Sequence, residues 1–365
     1  MDILSNIALA MIPGLKPMSL RRLVEYYPGE DIFALPPAEL CAAFAGHRAV
    51  AEHIIGRTTF ARAEEELAFC ERGGIRPLFF TDDDFPRRLN DSNTPDAPVL
   101  LYKLGQADLN AARTISVVGT RHATASGRDN TDAIVSQLVP LGATIVSGLA
   151  YGIDTAAHSA ALNYGLPTVA VLGHGLDRIY PPVNRHLAEE ILSHSGALLT
   201  EYPSGTAISP RLFPARNRIV AALGDATVVV EAAEKGGALI PAAIAASYCR
   251  DVFAVPGRLA DTYSCGTNNL IATNRAALVR SADDIAYQLG WPLPGRQAAQ
   301  EQLFPTYTRD EQAVVDLLQE NQSLDLDQLS SLSAMPLSKV ASVLFTLEMN
   351  KVVRALPGRC YELVH

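Results

Sequence analysis

Thr114-Ile115-Ser116-Val117-Val118-Gly119-Thr120-Arg121 is the stretch that decides the fold. A short apolar, β-branched run that ends directly in glycine reads as a buried strand delivered into a tight turn, and Ser126-Gly127-Arg128 opens a helix beyond it. The same unit recurs at Thr144–Gly148, Thr168–Gly173, Ala197–Glu201, Ala226–Glu231, Asp251–Pro256 and Ala277–Val279, with helical segments between. Strands alternating with helices predict an α/β fold, a parallel sheet with crossover helices. Ligands bind such sheets at the C-terminal edge of the strands, so the turns after these runs are the places to look for chemistry.

The chain has 365 residues, 48% of them hydrophobic, and a formal charge of −9. That length predicts two or three domains. The negative balance excludes a histone-like binder, because counterion release needs clustered Lys and Arg. The charge is −3 in each of 1–75, 76–307 and 308–365, so any nucleic-acid contact must be focal. Two windows without an acidic residue, 109–128 and 205–224, each hold three arginines; the plain alternative is that these are scattered solvated side chains. The five cysteines are scattered and never spaced as Cys-x-x-Cys, so neither a disulfide framework nor a metal site is expected, and a reduced cytoplasm fits. Asp2 stands where a signal peptide would be basic, and no apolar run approaches about 18 residues, so no membrane span is expected.

Four segments organise the chain: a helical domain at 1–75, the α/β domain at 76–290, a linker at 291–307 and a last domain at 308–365. The first reads as helices over Leu4–Met11, Ser19–Tyr27, Pro36–Phe44 and about Thr59–Glu71. Its Pro13-Gly14-Leu15-Lys16-Pro17 turn resembles that of a helix-hairpin-helix, although Lys16 stands where a second glycine would admit a DNA phosphate. Trp291–Gln300 has the proline, glycine and glutamine content of a linker. Helical patterns at Asp310–Gln319, Asp325–Ser333 and Pro336–Asn350, then a hairpin around Pro357-Gly358, resemble a winged helix. With Lys339 set against Glu348 its third helix has little to offer phosphates, so a protein-binding or structural role is expected of it.

Candidate binding residues cluster on the sheet edge. Gly119, Thr120 and Arg121 end the first strand, and the amides at Ser126 and Gly127 open a helix, a form that receives phosphate, or else simply packs. The spacing is neither a dinucleotide fingerprint nor a Walker loop. Gly148 and Gly152 permit a sharp turn that exposes Tyr151 for stacking on a base. Asp154 and His158 share a helix face, as an acid–base couple or as a helix-start carboxylate beside a satisfied histidine. The ordered loop Gly173–Arg185 adds Arg178 and Arg185. Phe213-Pro214-Ala215-Arg216-Asn217-Arg218 places two arginines and an asparagine at the mouth of an apolar helix, with Arg211 just ahead. Lys235-Gly236-Gly237 adds a lysine beside two glycines at another helix start.

Seven motifs in order, among them VVGTR (117–121), SGLAYGIDTAAH (147–158), FPARNRIVAAL (213–223) and GTNNLI (266–271), resemble the DNA-processing protein A family, also called Smf. The resemblance covers roughly 76–285. It implies an extended Rossmann domain, single-stranded DNA as ligand, a homodimer, RecA recombinase as partner, a cytoplasmic bacterial setting, and no enzymatic activity, cofactor or metal. It also implies that Arg121 holds phosphate and that Asn217, Arg216 or Arg218, Lys235 and Gly236-Gly237 meet DNA. The chain departs from the family's frequent residues at Tyr151 (arginine), Gly237 and Pro241 (serine and threonine) and Asn274 (glycine). Asparagine at 274 also accepts a left-handed backbone.

The expectation is a single-stranded DNA-binding protein that protects incoming DNA and loads RecA in natural transformation. Two other readings stay open. One is a nucleotide enzyme of the phosphoribohydrolase type, of whose Pro-Gly-Gly-x-Gly-Thr-x-x-Glu signature Glu231 with Lys235-Gly236-Gly237 is a partial echo. The other is a protein adaptor that uses the acidic C-terminal domain.

Overall fold

Chain order runs from helices into a sheet, and the computed structural model describes it over 2–29, 31–44, 47–292, 307–321, 323–350, 352–356 and 360–363. The chain separates into two compact units, 1–296 and 297–365. In the first come α1 (Ile3–Ala10), α2 (Pro17–Tyr26), α3 (Pro37–Ala43), α4 (Arg48–Ile55) and α5 (Phe60–Gly73). Strands β1 (Arg76–Phe79), β2 (Leu100–Gly105) and β3 (Thr114–Val118) follow, then α6 (Ala125–Gln137), β4 (Thr144–Ser147), α7 (Ile153–Asn163), β5 (Thr168–Val171), α8 (Arg185–Ser193) and β6 (Ala197–Thr200). The unit closes with α9 (Leu212–Leu223), β7 (Ala226–Val229), α10 (Leu239–Ser247), β8 (Asp251–Ala254), α11 (Cys265–Ala272), β9 (Ala277–Leu278) and α12 (Ala282–Gln288).

Among the described residues these strands make one nine-stranded sheet in the order β1-β2-β6-β5-β4-β3-β7-β8-β9. From β6 to β9 it is parallel, whereas β1 and β2 add an antiparallel ribbon. That ribbon and α4 were not foreseen: Arg76-Pro77-Leu78-Phe79 is short and carries a proline, which suits the outer strand of a sheet. Alternate residues of the strands face opposite layers. Ile115, Val117, Ile145, Ala226 and Val228 pack with α6, α7 and α12, while Val118, Val146, Val169 and Val229 pack with α9 and α10. Burial on both faces is why the strands read as continuous apolar runs. Ile7, Leu20, Ile32, Leu40 and Ile54 of the first helices belong to the same core cluster as the second of these layers.

In the second unit α13 (Arg309–Glu320), β10 (Leu324–Asp325), α14 (Leu326–Ser333), α15 (Leu337–Met349), β11 (Val353–Leu356) and β12 (Cys360–Leu363) form a winged helix around Val314, Leu318, Leu329, Val340 and Leu344. Capping boxes start α13, through Thr308 and Glu311, and α14, through Asp325 and Gln328. The short β10, also unforeseen, pairs with β12. Most of the expected linker, 293–306, and the expected hairpin turn at 357–359 lie outside the described residues. Among the described residues no single helix is long and apolar enough to cross a membrane.

Candidate functional site

The chain climbs outward from β3 through β4 and β5 to β6, then crosses back to place β7 on the other side of β3. Loops after β3 and β7 therefore diverge, leaving a crevice at this reversal of strand order. A cavity of about 440 Å³ opens there, lined by Gly119, Thr120, Arg121, His122, Gly148, Asp154, Phe213, Arg216, Asn217, Gly236, Gly237 and Tyr263 among others. Of the candidate residues on the sheet edge, Gly119, Thr120, Arg121, Gly148, Asp154, Arg216, Asn217, Gly236 and Gly237 line it.

Close packing shapes the floor. Thr120 N donates to Glu231 O at 2.8 Å and Ile153 N to Thr120 O at 3.2 Å, which ties the β3 turn to β7 and to the start of α7. A Cβ on Gly119 would collide with the Ile153 side chain, so this glycine has a packing role as well as a place in the cavity. Arg216 lies 3% exposed, and its Nη1 donates to the carbonyls of Gly148 and Val171 at the ends of β4 and β5. Burial pulls its guanidinium down to about 10, against the opposing charge of Asp154, so it remains a cation at neutral pH. Asp154 is shifted the other way: burial raises its carboxyl, opposed first by the charge of Arg216 and then by the Ala150 amide, which donates at 3.2 Å.

The β4 turn is held from outside the cavity. Leu149 adopts a left-handed φ of 56°, and Asn184 Nδ2 donates to its carbonyl at 2.9 Å. His174 orders the loop that delivers Asn184. Its Nε2 accepts from Tyr180 N at 3.2 Å, which puts the ring proton on Nδ1, 2.9 Å from Gly175 O. His158 lies fully buried, with Nδ1 2.7 Å from Thr168 Oγ1, and burial drops it to about 3. It is a neutral core histidine.

Ser126, Gly127, Tyr151, Arg178, Arg218 and Lys235, also expected in the site, do not line the cavity. Glu231 is the reason for Ser126 and Gly127: its carboxylate accepts from Thr124 N at 3.0 Å and Thr124 Oγ1 at 2.5 Å, while Thr124 Oγ1 accepts from Gly127 N at 3.0 Å. The start of α6 is thus filled by the protein's own carboxylate and cap. Arg218 points away to Glu201 at 2.6 Å and Asp96 at 3.9 Å. Arg178 is exposed and pairs with Asp177 at 2.6 Å. Tyr151 is 47% exposed at the β4 turn, and Lys235 is exposed with no ion pair among the described residues.

Sequence reasoning missed Phe213's and Tyr263's place in the wall. Arg121 Cζ lies 5.7 Å from the Phe213 ring centroid, and the His122 and Tyr263 rings lie 6.3 Å apart at 26°. The lining includes Asp154 as its one carboxylate and no serine or cysteine. Among the described residues no group of three His, Cys, Asp or Glu is placed to hold a metal.

Residues 76–290 match the DNA recombination-mediator protein A family, and 294–359 match the DprA winged helix domain. The chain belongs to the DNA recombination-mediator protein A family. It is 34% identical over 395 aligned residues to Protein Smf of Synechocystis sp., covering 98% of this chain and 97% of that one. DNA processing protein A of Streptococcus pneumoniae shares the fold at a TM-score of 0.69 and 34% identity, over 79% of this chain and 98% of that one. A Helicobacter pylori DNA processing protein A, whose structure is described for its single-stranded DNA binding mode, matches at a TM-score of 0.53 and 30% identity, over 59% of this chain and 95% of that one. Asn274 has a φ of 55°, a left-handed conformation that asparagine tolerates and glycine adopts freely.

Proposed function

We propose that this chain binds single-stranded DNA without regard to sequence, as a homodimer, and hands the strand to the RecA recombinase during natural transformation in the cytoplasm. The observation that carries the reading is the cavity at the strand-order reversal, where Arg121, Arg216 and Asn217 converge on glycine-lined turns. Exposed Arg121 in its lining, and exposed Lys235 next in sequence to the lining Gly236, suit backbone phosphates, while buried Arg216 sets a positive floor. The single-stranded DNA binding described for the Helicobacter pylori relative supports the same ligand. Two protomers on one strand gain avidity, so a chain of net charge −9 needs no basic surface overall. The reading includes no catalysis: Asp154 is committed to Ala150 N and Arg216, and the lining supplies no serine or cysteine nucleophile. The working division is 1–75, 76–290, 291–307 and 308–365.

Fluorescence anisotropy of a labelled oligo-dT strand and the matching duplex, at two salt concentrations, tests this. Tight, salt-sensitive binding selective for the single strand, weakened in Arg121→Ala, is expected. Binding indifferent to strand type and to Arg121 would overturn it.

One observation favours an added adaptor role for the winged helix. Leu337, Phe345 and Met349 recur at helical spacing on α15 with exposures of 45%, 66% and 70%, and Lys339 on the same helix pairs with Asp310 at 2.7 Å. An apolar helix face without a free cation suits protein better than phosphate. Removal of 308–365 is expected to leave DNA affinity intact and to abolish stimulation of RecA; loss of DNA affinity would assign the unit to DNA instead.

A further inference from the structure

A carboxylate of the helical domain is buried against a loop of the α/β domain. Glu66, on α5, is 1% exposed, and it accepts from Ser204 N at 2.9 and 3.0 Å, from Ser204 Oγ at 2.5 Å and from Arg62 Nη2 at 2.7 Å. Arg62 completes the clasp by donating to Ser204 O at 2.6 Å. Burying a carboxylate is costly unless its oxygens are met, and here Ser204 meets them with both its amide and its hydroxyl.

Ser204 lies in the connection 201–211 between β6 and α9, which holds no helix or strand. Arg218 on α9 closes the base of this connection through Glu201 at 2.6 Å. On its other side it packs against the loop after β5: a Cβ on Gly175 would stand 2.5 Å from Pro203 O. Burial would raise the Asp177 carboxyl in that loop, but Arg178 and the Gly205 amide hold it below the usual carboxylate range. Past Ser204 the chain reaches exposed Arg211 and then Phe213, whose ring centroid lies 5.6 Å from that of Tyr180 and 5.7 Å from Arg121 Cζ. The clasp thus grips the middle of an irregular segment that delivers an arginine and an aromatic ring to the sheet edge. Released from it, the segment would regain backbone freedom that a bound strand would have to remove again.

We propose that Glu66 is a positioning residue for DNA binding, through which the helical domain holds 201–211 and the start of α9 in the conformation that receives the strand. This rests on the single-stranded DNA reading above and adds to it a task for the helical domain, which need not touch DNA to perform it. The clasp acts before DNA arrives, so its effect is measurable in the free protein.

The test pairs hydrogen exchange of the DNA-free full chain with oligo-dT anisotropy for wild type, Glu66→Ala, Glu66→Gln, Ser204→Ala and Thr59→Ala. In Glu66→Ala the amides of 202–212 are expected to exchange faster while those of β3, β4 and β7 keep their protection, and oligo-dT affinity should fall roughly 3- to 10-fold. Glu66→Gln keeps an acceptor for Ser204 N and should recover most of that affinity. Thr59→Ala loses the buried bond from Thr59 Oγ1 to Ala8 O, at 2.8 Å, and so weakens the same helical domain without touching the connection. Its urea midpoint should fall and its DNA affinity should not. If Glu66→Ala does not fold, Ser204→Ala, which removes the hydroxyl donor alone, should show the same two changes in smaller measure. Positioning is wrong if the connection loosens and oligo-dT still binds as in wild type, if exchange is unchanged, or if Thr59→Ala loses affinity as well. If wild type binds no single strand, the DNA reading falls and the role of Glu66 in it falls too, whatever the exchange shows.

Discussion

The guanidinium of Arg216 occupies the space that a side chain on Gly148 would fill. A Cβ on Gly148 would stand 2.5 Å from Arg216 Nη2, and the same guanidinium donates to the Gly148 carbonyl. The glycine and the arginine, from different motifs, are thus one fitted pair at the floor of the cavity. Gly148→Ala is expected to displace Arg216 and cost about 1–3 kcal/mol, as overpacking a filled interior does. Urea unfolding measures the loss, and oligo-dT affinity should fall with it. A variant as stable as wild type would show that the pair is not fitted.

Arg121 and Arg218 should separate cleanly. Arg121 is exposed, so Arg121→Ala should leave stability unchanged and lower the salt slope of DNA binding by about one. Arg218 has a side chain only 15% exposed against an equally covered Glu201. Arg218→Ala strands that carboxylate, which should cost about 1–3 kcal/mol of stability while the salt slope stays as in wild type.

Glu231 caps the start of α6 from another strand. Glu231→Ala removes the acceptor for Thr124 N and Thr124 Oγ1, with an expected loss of about 1–2 kcal/mol in thermal or urea unfolding. Thr124→Ala should cost a similar amount, and the double variant less than the sum, because the two residues act as one cap.

His158 makes stability depend on pH. Its folded value, about 3, lies below the ordinary 6.5, so the unfolded chain binds the proton more readily. The stabilisation is complete above 6.5 and is lost as pH falls toward 3. Between pH 7 and 5.5 this amounts to about 1 kcal/mol, a window above the range in which ordinary carboxylates titrate. Urea midpoints at those two pH values should differ in wild type and converge in His158→Gln. An undiminished difference in the variant would place the titrating group elsewhere.

The strand runs from Thr114 to Val279 were legible because parallel strands buried on both faces are mostly apolar, broken only by small hydroxyl residues and, at the start of β8, by Asp251. By contrast β1 and β2 were missed: an antiparallel ribbon at one end of the sheet has weaker patterning, and Pro77 reads as a break. The helix α4 lacks a side-chain cap, so nothing in its sequence announced a start. Asn274 and its left-handed backbone were read correctly, since that preference belongs to the residue itself.

From sequence alone came most of the elements from β3 onward, their order and the edge where loops gather, because periodicity and glycine placement are local properties of the chain. Which arginine faces the cavity was decided only by tertiary structure. Arg216 and Arg218 are two residues apart on α9, and about 200° of helical rotation sends one under Gly148 and the other toward Glu201. Likewise the opening of α6 looked free for an anion until the crossover to β7 brought Glu231 against it. Charge and spacing can be read along a chain, but what occupies a helix terminus depends on residues a hundred positions away.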